Sequence, residues 1–246
     1  MKLGAVIPVY NHGATVGAMV QAIRRQGLAV LLVDDGSEPA CAAVLDALVG
    51  PDVHLHRLNI NQGKGGAVMA GFRAAQQLGW THALQIDADG QHDADDIPRF
   101  AAQAEAFPDQ VICGVPVYDA SVPRGRLYGR YATHVWVWIN TLSLEIRDSM
   151  CGFRIYPLAP AVALIDSVRI GRRMDFDTEV VVRLHWRGVG IVSQPTRVNY
   201  PVGGISHFRL LRDNLLISAM HARLFAGMLV RLPWLLGRKL RKGRPA

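Results

Sequence analysis

The chain has 246 residues, half of them hydrophobic, so it suits one large α/β domain with a sizeable core and is not an intrinsically disordered chain. Its three cysteines are too few and too scattered for a disulfide framework or a zinc site, which favours a reducing, cytoplasmic setting. The formal net charge is +7, but no DNA- or RNA-binding motif accompanies it, so we expect no nucleic-acid partner and favour an anionic membrane surface.

The first half of the sequence alternates short apolar runs with helical patterns. The predicted strands are Leu3–Val9, Ala29–Val33, Val53–Leu58, His82–Ile86 and Gln110–Val115. The predicted helices are Thr15–Gln26, Pro39–Val49, Gly65–Leu78 and Asp95–Phe107. This alternation predicts βαβ units, and therefore an α/β fold whose mainly parallel sheet has helices on both faces. Ligands of such sheets bind at the carboxyl ends of the strands.

The second half is less regular. Residues 126–146 are apolar and aromatic, and they include Trp136 and Trp138. Residues 176–187 have a helical pattern, and residues 189–198 have the composition of a strand.

Two carboxylates, Asp87 and Asp89, follow the predicted fourth strand and precede Gly90. In an extended segment, side chains two residues apart share one face at about 6–7 Å, and the glycine allows a turn that brings them closer. Carboxylate oxygens are ligands that Mg²⁺ and Mn²⁺ prefer, and two of them leave coordination positions open for phosphate oxygens. The pattern predicts a metal site that binds a diphosphate. The alternative is a solvated turn rich in aspartate.

Polar residues also follow the second and third predicted strands. Asp34 and Asp35 offer acceptors for a ribose or a base N–H, or they form only a polar turn before the next helix. Residues 59–66 are rich in glycine, and Lys64 among them can meet a phosphate near a helix N-terminus. The spacing is not that of a P-loop, and the first strand does not lead into GxGxxG, which argues against a dinucleotide dehydrogenase.

These three motifs, with Ile7-Pro8-Val9-Tyr10-Asn11 at the end of the first strand, occur in the order found in family-2 glycosyltransferases, which the chain resembles. The resemblance is to the dolichyl-phosphate mannosyltransferase and polyprenyl-phosphate glycosyltransferase branch. Residues 147–154 are similar to the Asp-x-x-x-Gly-Phe-Arg/Lys element of that branch. The resemblance implies a GT-A fold, a nucleoside-diphosphate sugar donor and direct displacement with inversion at the anomeric carbon.

The resemblance also implies three groups of site residues. The donor would be bound by Pro8, Tyr10, Asn11, Asp35, Lys64, Asp87 and Arg154, with Arg154 at a phosphate. The metal, Mg²⁺ or Mn²⁺, would be held by Asp87, Asp89 and Gln91. The acids that could orient the donor or act as a base are Asp148, Asp177 and Glu179, although Asp177 is also typical of an ordinary first helical turn.

The acceptor is less well defined, because two cations typical of this branch have no counterpart here. Residues 114–117 read Gly-Val-Pro-Val where the branch has Gly-Ser-Arg, and residues 204–207 offer His207 but no Arg. A hydroxyl acceptor, which needs a general base, therefore competes with a lipid phosphate, which is already an anion. We predict transfer from a UDP- or GDP-sugar to a lipid or lipid-linked acceptor. The alternatives are a soluble hydroxyl acceptor and a sugar-phosphate nucleotidyltransferase.

The C-terminal segment, residues 207–246, mixes apolar and basic residues, while residues 1–206 are expected to form the catalytic domain. No window of about 18 residues is free of charge or histidine, so we expect that the segment does not span a membrane. Pro233 is expected to break its helix. We predict peripheral attachment to the inner face of the membrane. A homo-oligomer or a pathway partner enzyme would use the same apolar residues.

Overall fold

The computed structural model describes residues 1–117, 124–198 and 209–242. Within these ranges, seven strands form one sheet in the order β3-β2-β1-β4-β6-β5-β7. The strands are β1 Leu3–Val9, β2 Ala29–Asp34, β3 Val53–Arg57, β4 His82–Gln85, β5 Val111–Val117, β6 Arg154–Pro157 and β7 Ile191–Arg197. Strand β6 is antiparallel to β4 and β5, and the other pairs are parallel. The predicted α/β fold with a mainly parallel sheet is confirmed.

The helices of the described ranges are α1 Gly13–Arg25, α2 Pro39–Leu48, α3 Lys64–Gln77, α4 Ile97–Ala106, α5 Arg124–Thr141, α6 Leu158–Ser167, α7 Phe176–Trp186 and α8 Leu210–Lys242. A single 3-10 turn, Ala94–Asp96, precedes α4, because Asp93 caps it by accepting the Asp95 amide hydrogen. The predicted helices of the first half agree with α1 to α4 within two residues at every end. The first two residues of the predicted helix that begins at Asp95 belong to this 3-10 turn.

The sheet has a core on each face, because successive side chains of a strand point to opposite sides. Val6 and Val33 pack with Phe72 of α3 in one cluster. Ile7 packs with Phe100 of α4 in the other. Both strand faces are therefore covered, which explains why β1, β2 and β4 read as nearly continuous apolar runs.

The sequence analysis did not predict β6 or α6. Strand β6 has only four residues, among them a charged Arg154 and a Pro157, so it lacks the apolar run that identifies a buried strand. Its place between β4 and β5 reverses one strand of an otherwise parallel sheet, which no local pattern indicates.

Pro233 does not break the C-terminal helix, contrary to the prediction. Helix α8, which has 33 residues, continues through Pro233 to Lys242. Pro233 is exposed, so the carbonyl that loses its helical donor can be hydrated, and the helix is held on its other side by Met228 and Leu235 in the core. The predicted boundary at residue 206 lies outside the described residues.

Candidate active site

The predicted binding motifs lie at one edge of the sheet. In the register of the strands, Val9 of β1 is the partner of Asp34, and Asp34 is the partner of Arg57. On the other side of β1, Val6 is the partner of Gln85. The carboxyl ends of β1 to β4 therefore lie side by side, and the loops that follow them converge on one site.

The turn after β1 is hydrogen-bonded to the turn after β2. Asn11 has a φ of 56°, a conformation that asparagine tolerates better than most residues. Its N–H donates to Ser37 Oγ at 3.1 Å, and its Oδ1 accepts from the Glu38 N–H at 2.8 Å. Asn11 thus fixes both turns, while Pro8 and Tyr10 lie half-buried beside it. Contact of these three residues with a nucleoside stays a prediction.

Asp35 fastens the glycine-rich loop to the end of β2. Its two carboxylate oxygens accept the amide hydrogens of Gln62 at 2.6 Å and Gly63 at 2.9 Å. Burial raises the pKa of Asp35 to about 6, although these two amides and the charge of Arg173 act in the opposite direction. Asp35 is 2 % exposed, and in this structure its carboxylate holds the glycine-rich loop in place.

Lys64, the first residue of α3, joins two carboxylates from different parts of the chain. Its Nζ lies 2.8 Å from Asp87 Oδ2 and 2.8 Å from Asp177 Oδ2. Asp177 Oδ1 accepts from Gln85 Nε2 at 2.7 Å. Burial alone would raise the pKa of Asp87, but the Lys64 ammonium outweighs it and holds that pKa below its ordinary value. The first turns of α3 and α7 and the turn after β4 thus meet at one largely buried ammonium.

Asp89 completes the Asp-Ala-Asp turn. Burial and the neighbouring charge of Asp87 raise the pKa of Asp89, and its Oδ1 accepts the Gln91 N–H at 3.0 Å. Asp87 Oδ1 is buried and has no hydrogen-bond partner among the described residues. Two crowded carboxylates with an orphaned oxygen fit a hard divalent cation.

The described part of the chain contains no group of three or more acidic, His or Cys side chains placed to hold a metal by themselves. A cation at Asp87 and Asp89 would therefore need further ligands, and the oxygens of a diphosphate are of the right kind. Gln91 is half-buried, and its side chain as a metal ligand stays a prediction.

His92 is a site residue to which the sequence analysis gave no role. Its Nδ1 is buried without a hydrogen-bond partner in the described ranges, and its ring lies 5.5 Å from that of Phe153. Burial lowers the pKa of His92, while Asp87 and Asp89 raise it. A titratable ring in the same turn as the two carboxylates was the signal that could have identified it.

The packing around Gly152 explains why the 147–154 element has a glycine at this position. A Cβ at this position would lie 2.5 Å from Asp87 Oδ2 and 2.9 Å from Lys64 Nζ. The backbone of this element therefore packs directly on the Lys64–Asp87 pair, and a side chain there would displace it.

Asp148 is buried and bonded on both oxygens. Oδ1 accepts the amide hydrogens of Met150 at 2.8 Å and Cys151 at 2.7 Å. Oδ2 accepts from Arg130 Nε at 2.6 Å and lies 3.5 Å from His134 Nε2. Arg130 was not predicted, although a cation inside the apolar stretch 126–146 was a visible anomaly.

Arg154 and two of the predicted acids, Asp177 and Glu179, are buried, and their predicted roles stay predictions. Arg154 is fully buried, and its Nη1 donates to Tyr156 Oη at 3.1 Å and to the Asp177 carbonyl at 2.6 Å, while its Nε and Nη2 have no hydrogen-bond partner among the described residues. Glu179 is fully buried and paired with Arg183 and Arg223. Asp177 is paired with Lys64, so both acids have a cation partner in this structure.

A family model and curated relatives identify the family of this chain. The family model described as Glycosyl transferase family 2 matches residues 5–165, which is more than half of the chain. Undecaprenyl-phosphate mannosyltransferase of Micrococcus luteus is 27% identical over 209 residues, which cover 79% of this chain and 82% of that protein. Polyprenol monophosphomannose synthase of Mycolicibacterium smegmatis is 31% identical over 169 residues, which cover 61% of this chain and 60% of that protein.

Among solved structures, glucosyl-3-phosphoglycerate synthase from Mycobacterium tuberculosis, in complex with Mn²⁺ and UDP-glucose, is similar in fold. The TM-score is 0.64 at 16% sequence identity, and the similarity covers 94% of this chain and 78% of that chain. At this identity the likeness concerns the fold.

Proposed function

The chain belongs to glycosyl transferase family 2 and has the GT-A-type fold that its sequence predicted, and on this basis we propose that it transfers a sugar from a UDP- or GDP-sugar, with inversion, to a lipid or lipid-linked acceptor. The observation that carries this proposal is the cluster of Lys64, Asp87 and Asp89 at the carboxyl edge of the sheet, with Asp87 Oδ1 left without a partner.

A divalent cation, Mg²⁺ or Mn²⁺, is proposed at Asp87 and Asp89, with Gln91 beside them. Bound there, it would stabilise the diphosphate as a leaving group. The Mn²⁺ and UDP-glucose bound to the M. tuberculosis neighbour support this assignment. Lys64 supplies a fixed positive charge at the same edge, and Asp35 holds the loop that carries Lys64.

A phosphate acceptor fits the described site better than a hydroxyl acceptor. Asp148, Asp177 and Glu179 each accept hydrogen bonds or ion pairs on both oxygens, so none is a free general base. A lipid phosphate is already ionised and needs no base. The names of the M. luteus and M. smegmatis relatives support a polyprenyl-phosphate acceptor.

A soluble phosphorylated acceptor is the second candidate. The structural neighbour is a synthase of glucosyl-3-phosphoglycerate, so this fold also serves a product without a lipid. Equal rates with a water-soluble phosphate and with a polyprenyl phosphate in detergent would favour this second candidate.

Helix α8 supports a membrane-associated acceptor. One of its faces lies in the core through Met220, Leu224 and Met228. The opposite face exposes Leu211, Leu215, Leu229, Leu236 and Leu240. Residues Leu210–Leu240 are long and apolar enough to cross a membrane, but a helix with one face packed in the protein core is better placed to lie along the surface.

Helix α5 extends this apolar surface. Trp136 is 44% exposed and packs edge-to-face on Phe225 of α8, with ring centroids 6.1 Å apart. Tyr131 and Val135 are exposed on the same helix, and tryptophan and tyrosine favour the membrane–water interface. We propose that the protein is cytoplasmic and attaches peripherally to the inner face of the membrane through α5 and α8. The surface would otherwise suit a second copy or a partner enzyme.

Calorimetry tests the donor proposal. UDP and GDP are titrated with and without Mn²⁺, against nucleoside triphosphates, into the unaltered protein and into Asp89→Ala. We expect metal-dependent binding of one diphosphate and its loss in the variant with the fold retained. Unchanged metal-dependent binding by Asp89→Ala would refute the metal assignment. Preference for a triphosphate with a sugar phosphate would favour a nucleotidyltransferase.

A further inference from the structure

The carboxylate of Glu179 accepts hydrogen bonds from three parts of the fold. Its Oε1 accepts from Arg183 Nε at 2.9 Å and Nη2 at 2.7 Å, one turn further along α7. Its Oε2 accepts the Gly171 amide hydrogen at 2.9 Å and lies 3.2 Å from Arg223 Nη2. A fully buried carboxylate with this many partners is a structural junction between α7, the loop before it and α8.

Arg223 is the contribution of α8 to this junction. Its side chain is 49% exposed, and the same Nη2 also lies 3.8 Å from Asp175 Oδ2. Asp175 Oδ1 in turn accepts the Arg173 amide hydrogen at 3.1 Å. The C-terminal helix therefore places one cation against both acids that fix residues 170–175.

Residues 170–175 contact the glycine-rich loop of the donor site. The Gly66 N–H donates to the Arg172 carbonyl at 2.9 Å, and Arg172 Nη1 donates to Gln62 Oε1 at 3.0 Å. A Cβ on Gly63 would lie 2.6 Å from the Arg172 carbonyl oxygen, so the two backbones are in close approach. These contacts join residues 170–175 to the loop that precedes α3 and to the start of the helix that carries Lys64.

We propose that Arg223 is a positioning residue: by pairing with Glu179 and Asp175 it holds residues 170–175 against the Gln62–Gly66 loop, so that the C-terminal helix supports the donor site. This deepens the proposed function and rests on it for the identity of the donor. The path runs from Arg223 to Glu179, from Glu179 to the Gly171 amide, and from Arg172 to Gly66. In this role Arg223 contacts neither the donor nor the metal.

Hydrogen exchange of the full chain, measured without nucleotide, tests whether Arg223 holds residues 170–175 against the Gln62–Gly66 loop. Arg223→Ala is compared with the unaltered protein and with Arg212→Ala, which removes an exposed cation from the same helix. We expect faster exchange confined to peptides that contain Gly171 and Gly66, because their acceptors lose support. Arg223→Lys, which keeps the charge, is expected to restore part of the protection.

Nucleotide affinity is the second readout, measured with UDP and GDP in the presence of Mn²⁺. Arg223→Ala is expected to weaken binding by about two- to fivefold, as for the loss of a half-exposed ion pair, and Arg212→Ala to leave it unchanged. Unchanged exchange at both peptides, equal effects of the two variants, or faster exchange throughout the chain would overturn the positioning role. If the unaltered protein binds no nucleotide, the proposed function fails, while the exchange measurement still decides the role of Arg223.

Discussion

Lys64 Nζ lies 2.8 Å from Asp87 Oδ2, so the first residue of α3 pairs with the first carboxylate of the Asp-Ala-Asp turn. The same ammonium is 2.8 Å from Asp177 Oδ2 on α7. The side chains of Lys64 and Asp177 are 17% and 7% exposed, so this charge cluster is largely removed from water. Its three members depend on one another, because a buried charge without its partner is costly.

Lys64→Ala is expected to destabilise the protein by about 3 kcal/mol or more, because it leaves two carboxylates without their cation. Urea unfolding measures the change. Arg73→Ala is the matched control, since its pair with Asp166 has side chains 45% and 54% exposed, and its loss is expected to cost under about 1 kcal/mol. Equal costs for the two variants would contradict the picture of a cluster shielded from solvent.

Gly152→Ala is expected to reduce metal-dependent nucleotide binding by at least about tenfold, equivalent to about 1.4 kcal/mol. The new Cβ would lie 2.5 Å from Asp87 Oδ2, so the carboxylate must move. Calorimetry with UDP and GDP measures the effect. Gly237→Ala on α8 is the control, because a Cβ there meets no heavy atom within 4 Å. Unaltered affinity in Gly152→Ala would show that the position of Asp87 is not critical.

The sequence predicted the first five strands well because each is a short apolar run bounded by a helix with a clear period. It also brought Asp87, Asp35 and Lys64 to one edge, since parallel strands share their carboxyl ends. The sequence did not predict the pairing of Lys64 with Asp177, because this ion pair joins α3 to α7, which lie far apart in the chain. For the same reason the sequence did not show that Arg183 and Arg223 pair with Glu179, which stays a predicted candidate base.

Stability is expected to depend on pH through Asp35. Burial raises the pKa of Asp35 to about 6 from an ordinary 3.8, so the folded protein binds its proton more tightly than the unfolded chain does. The resulting stabilisation is complete below pH 3.8 and is lost as the pH rises through about 6. Its upper limit is about 3 kcal/mol, from about 1.4 kcal/mol per pKa unit.

Asp35→Asn, which cannot ionise, isolates this effect. The free energy of unfolding of the unaltered protein minus that of the variant is expected to fall between pH 4 and pH 7. Urea unfolding at four pH values in that interval measures it, and the other titrating groups cancel in the difference. A difference that stays constant over the interval would contradict the raised pKa of Asp35.

The outer face of α8 is expected to bind anionic membranes. Leu211 and Leu229 are 81% and 51% exposed and lie five turns (about 18 residues) apart, so they share one face of the helix. Replacing both by Glu should abolish sedimentation with phosphatidylserine liposomes at low salt without loss of stability, because neither residue lies in the core. Val49→Glu, a change at an exposed apolar residue beside α2, is the control and should bind normally.

Salt should weaken binding of the unaltered protein, because exposed Arg212 and Lys239 flank this face. Binding that survives both substitutions would place the contact elsewhere, and a protein that ignores such liposomes while forming a dimer lost in the double variant would assign this face to a second copy of the chain.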